Sequence, residues 1–149
     1  MTRTLKVALA GAGAFGLKHL DAIKAIDGVE AVSLVGRELD KTTAAAAKYG
    51  VGHVTTDLAE SLKIPGLDAV ILATPTQMHA AQALQCLKAG KHVEVEIPLA
   101  DSLKDAEAVA ASRAALTDEE WVAGLTMVDD DRWRENMKAW MATDVPGLG

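Results

Sequence analysis

The sequence predicts an α/β domain in which a mostly parallel sheet is covered by helices on both faces. Three observations support this fold class. Short apolar segments alternate with amphipathic ones, the apolar segments have the length of buried strands, and turn residues lie between many of these segments. Regular alternation of this kind implies crossover connections between parallel strands. Half of the residues are hydrophobic, which is enough for one domain with a core.

Five segments are predicted strands because each is short and either apolar or alternating. The most strand-like of them is "AVILA", an uninterrupted apolar run, and "GHVTTD" allows only a short strand. In chain order the predicted strands are Leu5–Ala10, Glu30–Gly36, a short segment within 52–57, Ala69–Ala73 and His92–Glu96.

The segments between the strands are predicted helices, since their apolar residues recur at intervals of three and four. In the fourth helix, for example, Ala80, Leu84 and Leu87 would form the apolar stripe. Gly50 is placed to end the second helix as its C′ residue, and Asp57 is a suitable N-cap for the short third helix. Ser102 with the acid three residues later resembles a capping box. In chain order the predicted helices cover 16–27, Asp40–Tyr49, Asp57–Leu62, Met78–Ala89 and Ser102–Leu116.

Composition and charge exclude several classes of partner. The formal net charge is −6, whereas a nucleic-acid surface would need a basic patch. No segment reaches the ~18 continuous apolar residues of a membrane span, and the apolar run before Gly11 is too short for a secretory signal. The single cysteine, Cys86, cannot form an internal disulfide. We therefore expect a cytoplasmic protein without nucleic-acid or membrane partners and, since His92 and Glu94 alone make no site, without a metal.

The glycine motif "GAGAFG" follows the first predicted strand and begins the first predicted helix. Gly11 would permit the tight turn, Gly13 would let a pyrophosphate approach the backbone, and Gly16 would let the helix pack closely on the strand. Ala14 and Phe15 would present N–H groups of the helix N-terminus to the phosphates. The motif predicts a Rossmann-type, doubly wound sheet that binds a dinucleotide. The alternative is a strand–helix turn that has no ligand.

The end of the second predicted strand bears on which nicotinamide cofactor binds. NAD binding usually relies on an acid at this point, whereas NADP binding relies on a cation beside the 2′-phosphate. Gly36 leaves room there, and Arg37 can form a fork with a phosphate or stack on the adenine. Glu38 is close enough to complicate this interpretation, and Arg37 could also be a solvated surface charge. We expect NADP to be preferred, with weaker binding of NAD.

Residues 74–99, "TPTQMHAAQALQCLKAGKHVEVEIPL", resemble a known enzyme family. The resemblance is to the glucose-fructose oxidoreductase/inositol dehydrogenase (Gfo/Idh/MocA) family, which has a TPxxxH turn after the fourth strand, a helix ending A-G-K-H-V and a strand ending E-K-P. With the glycine motif included, the resemblance covers about 1–112. It implies the cofactor-binding half of an NADP-dependent oxidoreductase, in which the cofactor carries out the hydride transfer.

The resemblance also implies roles for residues that follow the fourth and fifth predicted strands. Thr74, Pro75 and Thr76 would line the ribose and nicotinamide side of the cofactor. His79 would support their loop, although a residue in the first turn of a helix can also be a cap or a surface residue. Glu96 would bond to the nicotinamide ribose, and its position at the carboxyl end of a parallel strand favours such a role.

Two departures from the family's pattern limit what the resemblance implies. Pro98 would fix the turn after the last strand, but Ile97 stands where most members have a lysine that can assist proton transfer. The sequence therefore names no catalytic acid or base. Family members also continue into a second domain that holds the substrate, and we expect the 149 residues to lack that domain.

The last part of the chain, 113–149, is expected to be a divergent strand and helix within a single dinucleotide-binding domain, 1–149. Trp121–Val128 could be a sixth strand, although Thr117 could instead begin a helix there. A helix over Arg132–Met141 would carry tryptophans on one side, and this apolar face could form a homodimer. An alternative function is therefore a truncated, non-catalytic module that binds nucleotide and associates through this face.

Overall fold

The computed structural model describes residues 3–114, which alternate between strands and helices in the predicted order. The strands are β1 (Leu5–Ala10), β2 (Val29–Val35), β3 (His53–Thr55), β4 (Ala69–Leu72) and β5 (His92–Val95). The helices are α1 (Ala14–Lys24), α2 (Leu39–Tyr49), α3 (Leu58–Leu62), α4 (Thr76–Lys88) and α5 (Leu103–Ala114). The expected sixth strand and final helix, over 117–141, lie outside the described residues.

The five strands form one parallel sheet in the order β3-β2-β1-β4-β5. The order reverses direction at β1, where Val7 lies opposite Ala31 of β2 on one side and Ala69 of β4 on the other. This is the strand order of a Rossmann sheet, and ligands of such sheets bind beyond the carboxyl ends of the strands at the point of reversal. The predicted α/β class is confirmed.

Helices cover both faces of the sheet, and each face has its own apolar core. Successive residues of β1 point to opposite faces, so that Val7 and Leu9 enter one core while Ala8 and Ala10 enter the other. Residues of α1 and α2 complete the first core, and residues of α3, α4 and α5 complete the second. Full burial of a leucine such as Leu9 contributes about 2 kcal/mol to folding. The doubly wound arrangement is therefore confirmed.

The helix ends show the capping groups that the sequence predicts. The carboxylate of Asp57 accepts a hydrogen bond from the N–H of Ala59 at 2.9 Å. The hydroxyl of Ser102 accepts one from the N–H of Asp105 at 3.1 Å and donates to its carboxylate at 2.6 Å. Gly50 ends α2 with a φ of 72°, a left-handed conformation that glycine adopts without steric penalty.

The buried face of α4 differs from the predicted apolar stripe. The buried side chains are His79, Ala83 and Cys86, whereas the residues of the predicted stripe are only partly buried. The helix also begins at Thr76, directly after Pro75 and two residues before the predicted start. The residues of the predicted stripe pack against the core, so the stripe was correct but incomplete. The fully buried positions lie beside it, and they include a histidine whose ring nitrogens both lie near loop carbonyls.

Candidate functional site

A cavity of about 690 Å³ lies at the carboxyl ends of the strands, where the strand order reverses. Three connections form most of its wall: the turn between β1 and α1, the loop between β2 and α2, and the loop between β4 and α4. Its volume is typical of small-molecule and cofactor sites. The lining consists of 11–15, 35–38, 41–42, 73–75, Thr56, Leu58, Met78 and Gln82.

Close backbone contacts require glycine at two positions of the GAGAFG motif, one in the turn after β1 and one in the first turn of α1. Gly11 has a φ of +113°, and a Cβ there would overlap the carbonyl group of Ala73 in the β4–α4 loop. A Cβ at Gly16 would overlap the carbonyl oxygen of Gly11. The backbones of β1, α1 and β4 therefore approach one another only because both positions lack side chains.

The start of α1 is open to the cavity. A Cβ at Gly13 would meet no heavy atom within 4 Å. Gly13 is also the N-cap residue, and no side chain of the described residues caps the helix. The N–H groups at the helix start, including those of Ala14 and Phe15, therefore carry an uncompensated partial positive charge. An open backbone beside uncapped N–H groups fits the pyrophosphate of a dinucleotide.

An aromatic ring and a cation flank this open helix start. The side chain of Phe15 is 65% exposed and forms part of the cavity wall. The Nζ atom of Lys18, one turn further along α1, lies 5.3 Å from the ring centroid, which is within the range of a cation–π interaction. The β1–α1 turn thus combines backbone donors with an apolar surface and a positive charge.

The loop between β2 and α2 places charged side chains at the cavity. Arg37 is exposed and lines the cavity. Glu38 lines it as well, but its carboxylate is paired with Nζ of Lys41 at 2.8 Å. The hydrogen bond and the charge of Lys41 lower the pKa of Glu38 from its usual value. Lys41 was not predicted, although a lysine three residues after a glutamate on a helix is a recognisable signal for an ion pair.

Gly36 also packs against the start of α2. A Cβ at Gly36 would overlap the hydroxyl group of Thr42, which donates a hydrogen bond to the carbonyl oxygen of Glu38 at 2.7 Å. The missing side chain therefore makes room for the first turn of α2. Gly36 remains part of the cavity lining.

The loop between β4 and α4 forms the opposite wall. Thr74 and Pro75 line the cavity, whereas Thr76 begins α4 and lies outside the lining. The hydroxyl of Thr74 donates a hydrogen bond to Oε1 of Gln82 at 2.5 Å. Gln82 was not predicted, and it ties the loop to the helix that follows.

His79 joins two loops without lining the cavity itself. Its side chain is only 2% exposed. Atom Nε2 lies 2.6 Å from the carbonyl oxygen of Thr74, and atom Nδ1 lies 2.9 Å from that of Pro98, whose peptide bond to Ile97 is cis. The tautomer of the ring decides which nitrogen donates. His79 therefore holds the Thr74 loop against the segment that follows β5.

Glu96 lies directly after β5 and contacts α1. Its backbone N–H donates a hydrogen bond to the carbonyl oxygen of Leu72 at 3.0 Å, which continues the pairing with β4. Its side-chain atom Oε1 lies 2.6 Å from Nε2 of His19. His19 was not predicted, and the only signal for it is its position three residues after Gly16, on a neighbouring part of the same helix face.

The structure gathers the predicted contact residues at one edge of the sheet, but not all of them line the cavity. Those in the lining are Gly11, Gly13, Ala14, Phe15, Arg37, Thr74 and Pro75. Those outside the lining are Gly16, Thr76, His79, Glu96 and Pro98.

Residues 3–114 contain no metal-binding cluster, no low-pKa thiol and no membrane-spanning helix. Within residues 3–114, no group of three or more His, Cys, Asp or Glu side chains could hold a metal ion. His92 and Glu94 are exposed on β5. Burial raises the pKa of the Cys86 thiol to about 11, so that it is a neutral core residue at neutral pH. In the same range, no helix has the length and apolar character needed to cross a membrane.

Comparison with known proteins gives one family and a set of relatives. The sequence profile of the family described as "Oxidoreductase family, NAD-binding Rossmann fold" (GFO_IDH_MocA) matches residues 5–119. The chain is 63% identical over 105 residues to the 4-carboxy-2-hydroxymuconate-6-semialdehyde dehydrogenase of Sphingobium sp. strain SYK-6, an alignment that covers 70% of this chain and 33% of the relative.

Solved structures show the same fold. GenD2 from gentamicin A biosynthesis, in complex with NAD, superimposes with a TM-score of 0.73 at 34% identity, covering 77% of this chain and 33% of that one. A 3-ketoreductase from Actinomadura kijaniata, with NADP, superimposes with a TM-score of 0.70 at 25% identity, covering 76% and 36%. The chain thus spans about a third of the length of these relatives. It belongs to the Gfo/Idh/MocA family of oxidoreductases, as an NAD(P)-binding Rossmann domain.

Proposed function

We propose that these residues form the cofactor-binding domain of a dehydrogenase that prefers NADP to NAD. The proposal rests on one observation: a single cavity has the open glycine turn in one wall and the exposed Arg37 in another. When bound, NADP supplies the nicotinamide ring that accepts a hydride, and the protein binds and orients it.

Gly13 and the first N–H groups of α1 would bind the pyrophosphate. The backbone at Gly13 faces open space, so that a phosphate can approach it closely. Because no side chain of the described residues caps α1, the phosphate oxygens would take the place of an N-cap. The partial positive charge of the helix N-terminus would strengthen these hydrogen bonds.

Arg37 would bind the 2′-phosphate that distinguishes NADP from NAD. A guanidinium group offers parallel N–H donors that match phosphate oxygens. Among residues 3–114, no carboxylate forms an ion pair with Arg37, because the neighbouring Glu38 is paired with Lys41. Arg37 would therefore favour the dianionic 2′-phosphate of NADP over the unmodified ribose of NAD, because Lys41 partly offsets the negative charge of Glu38.

The β4 and β5 side of the cavity would bind the nicotinamide half. Thr74 and Pro75 line this side, and Thr76 follows them as the first residue of α4. Glu96 stands at the carboxyl end of β5, where it would accept hydrogen bonds from the hydroxyl groups of the ribose. His79 would act indirectly, since it fixes the positions of both loops.

For the whole protein we propose oxidation of a carboxylated hydroxymuconate semialdehyde, a compound class that derives from cleaved aromatic rings. The support is the 63% identity to the dehydrogenase of that name. In the cyclic hemiacetal form of such a substrate, oxidation to the lactone transfers the hydride of the C–H bond to NADP and releases the proton of the hydroxyl group. Ile97, which is 89% exposed beside Glu96, cannot accept the proton, so the base must be another residue.

Isothermal titration calorimetry of the 149-residue chain with NADPH and NADH tests the cofactor preference. We expect the Kd for NADPH to be about 10-fold lower or better. Arg37→Ala should raise the Kd for NADPH by about 10- to 100-fold, with less than about threefold change for NADH. Lys24→Ala, which removes an exposed cation from the far end of α1, is the matched control.

Two outcomes would contradict the cofactor preference: equal Kd values for the two cofactors in the wild type, or an Arg37→Ala variant that behaves like Lys24→Ala. The activity is tested separately, by the formation of NADPH from NADP and the muconate semialdehyde. Binding without turnover is expected of an isolated cofactor-binding domain, whereas turnover by the 149-residue chain would exclude the alternative, a non-catalytic nucleotide-binding module.

A further inference from the structure

His19 and Glu96 meet across the carboxyl edge of the sheet although 77 residues separate them in the sequence. Nε2 of His19 lies 2.6 Å from Oε1 of Glu96. The two side chains are 20% and 31% exposed, so that bulk water and salt screen the contact less than they screen a fully exposed pair. Such a short, partly buried contact restrains both side chains.

The backbone fixes both ends of this contact. The N–H of Glu96 donates to the carbonyl oxygen of Leu72, which continues the register of β5 beside β4. His19 lies on α1, whose close approach to the β1–α1 turn depends on the absence of a side chain at Gly16. The fold therefore determines that these two side chains face each other.

The carboxylate of Glu96 keeps one oxygen free. Of its two side-chain oxygens, Oε1 contacts His19, and no described residue supplies a hydrogen-bond partner for Oε2. A glutamate side chain has three rotatable bonds, so that without a partner it would sample several rotamers. The contact with His19 selects the rotamers that leave Oε2 available for a ligand.

We propose that His19 is a positioning residue, which holds the Glu96 carboxylate so that Oε2 accepts hydrogen bonds from the hydroxyls of the cofactor's nicotinamide ribose. This inference rests on the proposed function, because it requires the nicotinamide half to lie on the β4 and β5 side of the cavity. His19 acts only through Glu96. Holding the carboxylate in place before binding reduces the entropy that binding would otherwise cost.

A purely structural role for the contact makes a different prediction. If His19 only fixed α1 to the end of β5, its loss would loosen the helix and the N–H groups at the helix start. Phosphate binding would then weaken for every ligand. If His19 positions Glu96, only ligands that carry the nicotinamide ribose lose affinity.

Two closely matched variants separate these roles. The amide nitrogen of glutamine reaches about as far as Nε2 of histidine, whereas that of asparagine reaches only as far as Nδ1. His19→Gln therefore keeps a donor for Glu96, and His19→Asn loses it. Calorimetry of the 149-residue chain measures binding of NADPH and of 2′,5′-ADP, a fragment that lacks the nicotinamide ribose.

We expect His19→Asn to raise the Kd for NADPH about 10-fold and to leave the Kd for 2′,5′-ADP within about twofold. His19→Gln should bind both ligands within about threefold of the wild type. In a Glu96→Ala background, His19→Asn should have no further effect, because the group through which it acts is absent.

The proposal is overturned if His19→Asn weakens both ligands equally, or if its effect on NADPH persists undiminished in the Glu96→Ala background. It is also overturned if His19→Gln is as weak as His19→Asn. A wild-type chain that binds neither NADPH nor 2′,5′-ADP would instead overturn the proposed function on which the inference rests.

Discussion

The two sides of the cavity are built in different ways. On the β2 side, Arg37, Glu38 and Lys41 are exposed charges, of which Glu38 and Lys41 form a surface ion pair. On the β4 side, the buried His79 binds two loop carbonyls, and Glu96 binds a side chain of α1. Substitution of the charges on the β2 side should therefore have little effect on the fold, whereas substitution of His79 or Glu96 on the β4 side should loosen its loops.

The largest expected effect is the loss of stability in His79→Leu, a substitution that removes a buried hydrogen-bonding group from the β4 side. The substitution removes the ring N–H that donates to the carbonyl oxygen of Thr74 or of Pro98, depending on the tautomer. One unsatisfied buried polar group costs about 1–3 kcal/mol, and the changed shape of the buried side chain adds to this, so the free energy of unfolding should fall by about 2–4 kcal/mol. Urea denaturation measures this. Arg37→Ala is the comparison and should change stability by less than about 0.5 kcal/mol; similar losses in both variants would refute the contrast.

Alkaline pH provides the next test, because α4 on the β4 side carries the buried Cys86. Burial raises the pKa of its thiol from 9.0 to about 11, so the unfolded chain loses this proton at lower pH than the folded chain. Stability from the protonated thiol is therefore fully present below pH 9 and is lost as the pH rises towards 11. Between those values the wild type should lose about 2 kcal/mol more than Cys86→Ala.

Urea denaturation at a series of pH values measures the difference between wild type and Cys86→Ala. The comparison of slopes removes the contributions of lysines and the tyrosine, which both proteins share. Parallel stability curves for the two proteins would show that ionisation of Cys86 is not coupled to folding.

The smallest expected effect is that of Glu38→Gln, which tests the charges of the β2 side. The substitution removes a negative charge beside Arg37 and releases Lys41. NADPH should bind about two- to fivefold more tightly, and stability should hardly change because the ion pair is exposed. Fluorescence titration of NADPH measures the affinity. Glu30→Gln, at the exposed start of β2, serves as the control, and weaker binding by Glu38→Gln would contradict this account.

The order of elements and the glycine turn could be predicted because their causes are local. The cap at Asp57 and the left-handed Gly50 depend on residues within one helical turn. Gly11 and Gly16 could be assigned structural roles because the strand–turn–helix geometry is the same in every sheet of this kind. Apolar periodicity alone then placed the strands at their observed positions to within a residue or so.

The contacts between distant side chains could not be predicted from the sequence. The partners His19 and Glu96 are brought together only after the sheet has formed. The burial of His79 depends on carbonyl groups of two loops, which no periodic pattern reveals. The packing of Gly36 against Thr42 likewise follows from how α2 docks on the sheet.

The central place of β1 has a consequence for synthesis of the chain. One edge of β1 pairs with β4, so Val7 has no partner on that edge until Ala69 is synthesised, 62 residues later in the chain. At about 5–20 residues per second, a ribosome needs roughly 3–12 s to add that segment. Throughout this interval the nascent chain exposes an apolar strand with one unpaired edge, which is a template for pairing with another chain. The strand order therefore determines how long this edge of β1 stays unpaired during translation. In a sheet in which each strand paired only with strands next to it in sequence, that interval would be shorter.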